Sequence, residues 1–434
     1  MVDETVSLER NPPRRGRGGA FARAWPTLKR YALSTGGPLA TSGAHFIASL
    51  ILLRNLPPAD FGLFSFLLIV VPFSLSLAGA LIAASFIAGL RRLALIEEAS
   101  LATHLKANIA VAVLAFAAVA AAMTFSGAAP GEGLIFGLYG AAMVLRQFGR
   151  THAYASARPF RALASDGVYA VLLILGLVVL LATHTLTMSH AAAVLACAAL
   201  FSIAAFGRDY AARQIRPGPA GTLGAYRAHW QEFARWAVLG VVLTEFTANA
   251  HAYIVTFVAG PKAFALLAVG ALVLRPASLV LSSLPDIERP RMAMKIGAAD
   301  IEGALRNVKE FRTAAGAIWL GTLMLAGALL IWFPQILLKK GYDPHAALAV
   351  IAIWGVILAV RTLRTPEAVL LQAAGEFRVL ASAGTWASVT SIVLTLALLL
   401  ISGPIAALFG ILAGDLVMTA NIFVLMKRWR GRHG

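Results

Sequence analysis

Charge is the scarcest property of this chain. Asp, Glu, Lys and Arg make up 13% of its 434 residues, roughly half of what covers a soluble globular surface, and that deficit excludes a soluble fold. Cysteine is almost absent. Cys197 stands alone, so neither an intramolecular disulfide nor a cysteine metal site can form, and its place in an apolar run marks it as a small packing residue. Acidic residues number 20 against 37 Lys and Arg, and none falls in the first two apolar runs. No G-x-x-x-x-G-K-[ST] loop, H-E-x-x-H or G-x-S-x-G occurs, so ATP hydrolysis, other enzymatic activity and a cofactor are not expected. A signal peptide is not expected either: Met1 to Arg30 is polar, basic and rich in Pro and Gly, and the first apolar segment is too long for a cleaved h-region.

What the chain has is hydrophobic length. Apolar residues make up 59% of it, and stretches of about twenty, the number needed to cross a bilayer as helix, recur throughout. They predict about twelve spans, at 31–53, 62–89, 107–126, 133–155, 166–186, 188–207, 235–258, 263–284, 314–333, 346–370, 379–402 and 404–426. Such spans consume roughly 250 residues and leave no room for a soluble catalytic domain. The expected fold is an all-α integral membrane protein.

Lys and Arg mark the cytoplasmic side because cations resist translocation. With the N-terminus inside, about 32 of the 37 basic residues fall on cytoplasmic segments or on the helix ends facing them. Arg54, Lys262, Lys339 and Lys340 fall outside, and Arg275 lies within a span. Both termini are therefore expected in the cytoplasm of a multi-pass inner-membrane protein, and topology absorbs most of the net charge of +17. Trp25, Tyr31, Trp230, Trp332, Tyr342 and Trp429 sit near span ends, where interfacial aromatics gather. The stretch Pro12–Ala20, PPRRGRGGA, is read as a tail drawn to anionic lipid headgroups rather than to nucleic acid.

The two halves resemble each other. NLPPADFGLFSFLLIV follows the first span and FVAGPKAFALLAVGALVL the seventh, each with Pro, two residues, Phe and an apolar helix: Pro58 with Phe61, and Pro261 with Phe264. PFRALAS (159–165) ends the fourth span and EFRVLAS (376–382) the tenth. Two matches in register predict a parallel duplication. The expected organisation is a basic tail (1–30), a six-helix lobe (31–207), a cytoplasmic linker (208–234), a second six-helix lobe (235–426) and a basic tail (427–434), with a central cavity between the lobes. Segment 285–312 is then the first cytoplasmic loop of the second lobe and 90–106 its counterpart.

Four runs carry a family resemblance. LLRNLPPADFGLFSFLLIVV (52–71) resembles the first external turn of polysaccharide transporters, and HAYIVTFVAGPKAFALLAVGALVLRPASLVLSSLPDIERPRMA (251–293) their seventh and eighth helices. LLQAAGEFRVLA (370–381) is similar to their tenth-to-eleventh turn and SGPIAALFGILAGDLVMTANIFVLMKR (402–428) to their last helix. From about Lys29 onward the chain looks like the polysaccharide transporter branch, which includes O-antigen flippases, of the multidrug/oligosaccharidyl-lipid/polysaccharide (MOP) exporter superfamily. The resemblance implies two lobes rocking around a cavity, a polyprenyl-diphosphate-linked oligosaccharide as substrate, and a polysaccharide polymerase or other export machinery as partners.

Ionisable groups inside a membrane mark candidate sites. Arg275, about halfway along the eighth span, either faces an anionic substrate, a diphosphate suiting its fork, or pairs with Glu245 of the seventh. Arg146 and Arg150 share a face of the fourth helix and Arg361 and Arg364 a face of the tenth. The four either line a cationic cavity or snorkel to the interface, where Arg158, Arg161 and Arg378 are placed. Glu245 and Asp415 are the candidate buried acids for proton or Na⁺ coupling, and His45 and His251 either relay protons or are packed and hydrogen-bonded. Pro276 and Pro366 permit kinks. A drug or metabolite antiporter of the same fold is the rival reading, disfavoured by the lack of acids in the first lobe. A polytopic enzyme of the polysaccharide pathway is disfavoured by the short external loops, the longest about 334–345.

Overall fold

The computed structural model describes residues 19–83, 86, 98–218, 222, 224, 226–332 and 343–433. The loop around 334–345 and the PPRRGRGGA stretch lie largely outside the described residues, as does the end of the second expected span. All regular structure among the described residues is helical. The first half comprises α1 (Gly19–Asn55), α2 (Pro58–Ala78, continued by a π turn, Gly79–Ala83), α3 (Glu98–Phe125), α4 (Pro130–Ala155), α5 (Pro159–Ala182) and α6 (Met188–Ile203). A short α7 (Arg208–Ile215) follows. The second half comprises α8 (Arg235–Ala259), α9 (Pro261–Val273), α10 (Arg275–Gly297), α11 (Ile301–Trp332), α12 (Pro344–Ala373), α13 (Phe377–Ser402) and α14 (Ala407–His433). Helices α2, α4, α5, α9 and α12 open on proline, whose missing N–H costs nothing in the first turn and whose fixed φ suits it.

Nine described helices are long and apolar enough to cross a membrane, and ten if α8, bent by 62° between Phe246 and Ala248, counts as one span. The count falls short of the expected twelve for identifiable reasons. α4 is long enough but carries Glu132, Arg146, Gln147, Arg150 and His152, and α9 has only 13 residues. The expected eighth span, 263–284, is broken: α9 ends at Val273 and α10 starts at Arg275. Pro276 lacks the N–H that would carry the ladder through. Pro366, by contrast, lies inside α12 without ending it. Segment 285–312, read as a loop, is mostly helix, shared between α10 and α11. Helix also reaches into both segments read as tails, from Gly19 in α1 and to His433 in α14.

Helices of each half pack mainly on one another: α1 on α5 and α3 on α4 in the first, α13 on α14 and α12 on α14 in the second. The halves meet chiefly where α2 lies against α9 and α8. Gly62 makes that crossing possible, because a Cβ there would collide with the Pro261 backbone carbonyl. One turn further on, Phe66 is fully buried and meets Tyr253, Phe257 and Phe264 edge to face, with centroids 5.5, 5.5 and 6.3 Å away.

The two matched sequence turns share their hydrogen bonding. After α4, Arg158 N–H reaches Ala153 O and Ala157 N–H reaches Tyr154 O; after α12, Glu376 N–H reaches Leu371 O and Gly375 N–H reaches Gln372 O. This helix C-terminal motif needs a left-handed residue, supplied by Ala157 (φ 55°) in one turn and Gly375 (φ 82°) in the other.

Two packing expectations are corrected. Cys197 is exposed on the outside of α6, on a helix face that the apolar composition of the run does not distinguish from the packed one. Trp429, read as interfacial, is 1% exposed, because α14 continues far enough to pack it among Val369, Leu370 and Met426. Trp332 and Trp230 remain exposed as expected.

Candidate functional site

A cavity of about 300 Å³ lies between the halves, lined by α1 and α2 on one side and by α8, α9, α10 and α12 on the other. Its floor is the α2–α9 crossing, with Phe61 and Phe264 in the lining. Ser49, Ser65, Asn249 and Ser278 give it neutral polar groups. Among the described residues its charged groups are Arg275 and Arg361, and no carboxylate lines it.

Arg275 lines the cavity at the break between α9 and α10. It is the first residue of α10, beside Pro276, with Leu274 alone between it and the end of α9 at Val273. Among the described residues it makes no ion pair or hydrogen bond with another side chain. Of the two readings of Arg275, the pairing with Glu245 does not form. Glu245 accepts a hydrogen bond from Tyr253 Oη at 2.8 Å on its own helix, α8, and the α8 bend falls between the two.

Arg361 and Arg364 converge on Asp415 of α14. Arg361 Nε donates to Asp415 Oδ2 at 2.8 Å, Arg364 Nη1 lies 2.6 Å from Oδ1, and Arg364 Nη1 also donates to the Asp415 backbone carbonyl at 3.2 Å. The i, i+3 spacing read from the sequence puts both arginines on one face of α12, and the facing helix supplies a single carboxylate to share. Two cations and one anion leave the cluster positive. Arg361 alone of the pair lines the cavity. His251 lines it too and stands edge to face on Trp354, centroids 5.6 Å apart.

The first half contains a similar cluster that does not reach the cavity. Arg146 is ion-paired with Asp166 of α5, and Arg150 Nε lies 3.5 Å from the second oxygen of the same carboxylate. Arg146 Nε donates to Ser165 Oγ at 3.2 Å, and its guanidinium lies over the Tyr169 ring, 4.6 Å from the centroid. Tyr169 Oη and His45 Nε2 are 2.7 Å apart, and Tyr139 Oη lies 3.0 Å from Tyr169 Oη. His45 is thus packed and hydrogen-bonded. Arg146 is 2% exposed and Asp166 0%, far from a snorkelling geometry. Of the four helix arginines expected either in a cavity or at the interface, Arg361 lines the cavity; Arg146, Arg150 and Arg364 are held by carboxylates instead.

Asp166 and Glu367 are the acids that sequence reasoning missed. Asp166 stood at the edge of the expected fifth span, but α5 begins two turns earlier, at Pro159, and carries it inward. The first half therefore does contain a buried acid, which corrects the argument from missing acids. Glu367, 1% exposed, pairs with Arg312 of α11, which starts thirteen residues before the expected span. Signals for both were present: an acid one helix away from an i, i+4 arginine pair, and an acid inside the tenth span. Arg161, placed at the interface, donates to the Phe206 carbonyl at 2.8 Å and so caps the end of the α6 segment.

No family model matches this chain, and no curated protein matches it in sequence. Solved structures do match in fold. An inward-facing multidrug resistance MATE family transporter of the MOP superfamily superimposes with a TM-score of 0.70 at 12% identity, covering 90% of this chain and 95% of that one. The lipid II flippase MurJ, in an inward closed conformation, gives 0.69 at 10% identity, covering 91% and 87%. An outward-facing MATE family transporter of the MOP superfamily gives 0.56 at 13% identity, covering 93% and 95%. The chain has the membrane-spanning helical fold of these transporters.

Proposed function

We propose that the chain is a flippase that carries a lipid-linked oligosaccharide, its lipid joined through a diphosphate, across the cytoplasmic membrane for polysaccharide synthesis and export. The observation that carries this reading is Arg275, a cation with no side-chain partner among the described residues, in a cavity whose lining, among those residues, holds a second arginine and no acid. A desolvated guanidinium with no counter-charge is costly, and a diphosphate supplies two acceptors in the geometry its fork prefers. The sugars would occupy the cavity while the lipid tail stays in the bilayer.

The chain is read as two six-helix lobes with both termini in the cytoplasm. The α2–α9 crossing then closes the outer side, in agreement with the higher TM-score against an inward-facing relative than an outward-facing one, 0.70 against 0.56. Transport would require parting Gly62 from Pro261 and Phe66 from its three aromatic neighbours, with rocking of the lobes opening the outer side. Anionic lipids would hold the basic tails, and a polysaccharide polymerase or other export machinery would receive the product.

A cation-coupled multidrug or metabolite antiporter is the second reading, and buried Asp166 is what favours it. Arg146 takes one oxygen of that carboxylate, and Arg150 lies 3.5 Å from the other, which accepts no hydrogen bond; two cations already flank the single anion, and their charge opposes uptake of a third. The test is export in cells carrying Arg275→Ala as the sole copy. Export of polymer should cease, lipid-linked repeat units should accumulate on the cytoplasmic side, and the protein should remain in the membrane; undiminished export would overturn the reading.

A further inference from the structure

The arginine that shares the cavity with Arg275 is only half engaged by the protein. Asp415 holds Arg361 through Nε, and no other hydrogen bond occupies the guanidinium among the described residues. Its side chain is 34% exposed. Asp415 itself stays outside the lining, 9% exposed, and has a second anchor: Arg364 binds its other oxygen and its backbone carbonyl. Arg364 is not in the lining either. The three groups thus form a chain from interior to cavity in which the middle one, an anion, can release the outer cation without being left alone.

We propose that Asp415 is an internal competitor for the substrate's phosphate, a positioning residue that sets how tightly Arg361 holds the headgroup. A phosphate arriving at Arg361 meets a carboxylate already on the same guanidinium. Either it takes only the outer Nη edge, beside a like charge, or it displaces Asp415 onto Arg364. Both weaken binding relative to a free arginine. A transporter benefits from that weakening, because a headgroup clamped by two unopposed arginines would not be released. Reclaiming of Arg361 by Asp415 supplies the return step. Arg275, with no such competitor, provides capture, and the paired Arg361 provides release.

This proposal rests on the anionic-substrate reading, and its test separates the two. The full chain, purified in detergent, is titrated with farnesyl diphosphate, with farnesol as the neutral control and inorganic diphosphate as the headgroup alone. Asp415→Asn should bind both diphosphates at least about tenfold more tightly, the size expected for removing a like charge about 10 Å away at interior effective dielectric and a lower bound for a closer one. Combining it with Arg361→Ala should abolish that gain. Export by Asp415→Asn should fall although binding improves. Unchanged or weaker binding by Asp415→Asn, while the wild type still binds and Arg275→Ala does not, overturns the competitor role alone; so does a gain confined to farnesyl diphosphate. No preference of the wild type for either diphosphate over farnesol overturns both. If Asp415→Asn does not fold, the wild type decides by infrared difference spectroscopy. Adding inorganic diphosphate should shift a carboxylate stretching band, and Arg361→Ala should remove the shift; identical spectra from the two proteins overturn the proposal.

Discussion

Arg146 and Asp166 form an ion pair with both side chains essentially out of solvent, 2% and 0% exposed, bridging α4 and α5. Arg150 leans on the same carboxylate. A buried pair is an expensive construction, and its energetic signature lies in what happens when one partner is removed, since the survivor is then a desolvated charge. Asp166→Asn should therefore destabilise the protein by about 3–5 kcal/mol, read as a large drop in the thermal unfolding temperature of the purified chain. The paired replacement Arg146→Met with Asp166→Leu should recover most of that loss. A double variant as unstable as Asp166→Asn would mean that the cluster contributes more than its own charge balance, through Tyr169 and His45.

Arg275 gives a graded prediction. Lys at this position keeps the charge but presents a point donor in place of a planar fork. Binding of farnesyl diphosphate should fall in the order wild type, Arg275→Lys, Arg275→Ala, with the Lys variant intermediate. Thermal stability should not fall in Arg275→Ala and should rise if anything, because Arg275 holds no side-chain partner among the described residues and its unpaired charge is costly to bury. If the Lys and Ala variants lose affinity equally, recognition is by geometry rather than charge.

How far the sequence could be read follows from the physics of each signal. Hydrophobic runs located the helices well because the bilayer enforces length, and the starts at Pro130 and Pro344 fell within a few residues of the 133–155 and 346–370 readings. Arg275 was legible as an isolated charge in an apolar run. That it stays unpaired among the described residues was not legible, because Glu245 lies on the neighbouring helix in sequence, and nothing in the sequence shows that α8 bends and that Tyr253 takes up that acid. The i, i+4 and i, i+3 arginine spacings were legible as shared faces, whereas whether a face meets a cavity or a carboxylate depends on how helices are packed. Asp166 was lost through an error of two turns at one helix start. Charges near span ends are the ones that such an error reassigns from interior to interface.

Glu245 offers a further check. Its acceptor role is satisfied by Tyr253 at 2.8 Å and not by Arg275. Glu245→Gln and Tyr253→Phe should therefore leave diphosphate affinity within about twofold of wild type, the scatter expected when residues are not coupled. A rise in affinity in Glu245→Gln comparable to that expected for Asp415→Asn would place Glu245 electrostatically on Arg275.

The proposed outer closure is the α2–α9 crossing, where Gly62 meets Pro261. Val at Gly62 would drive a side chain into the Pro261 carbonyl, a backbone atom with little freedom to retreat. Ala at Phe66 would remove a fully buried ring and its three edge-to-face contacts, a change that costs about 3–5 kcal/mol in a packed core. Both should part the halves at the end bearing Pro58 and Pro261. A cysteine placed at cavity residue Ser278, with Cys197→Ser removing the native thiol, reports the outcome through membrane-impermeant maleimide added to either side of sealed vesicles. In the otherwise native chain, labelling should come from the side opposite the Pro58 and Pro261 turns. Gly62→Val and Phe66→Ala should shift it toward the side that bears them. Labelling that stays one-sided in both variants would mean that the crossing is not the gate.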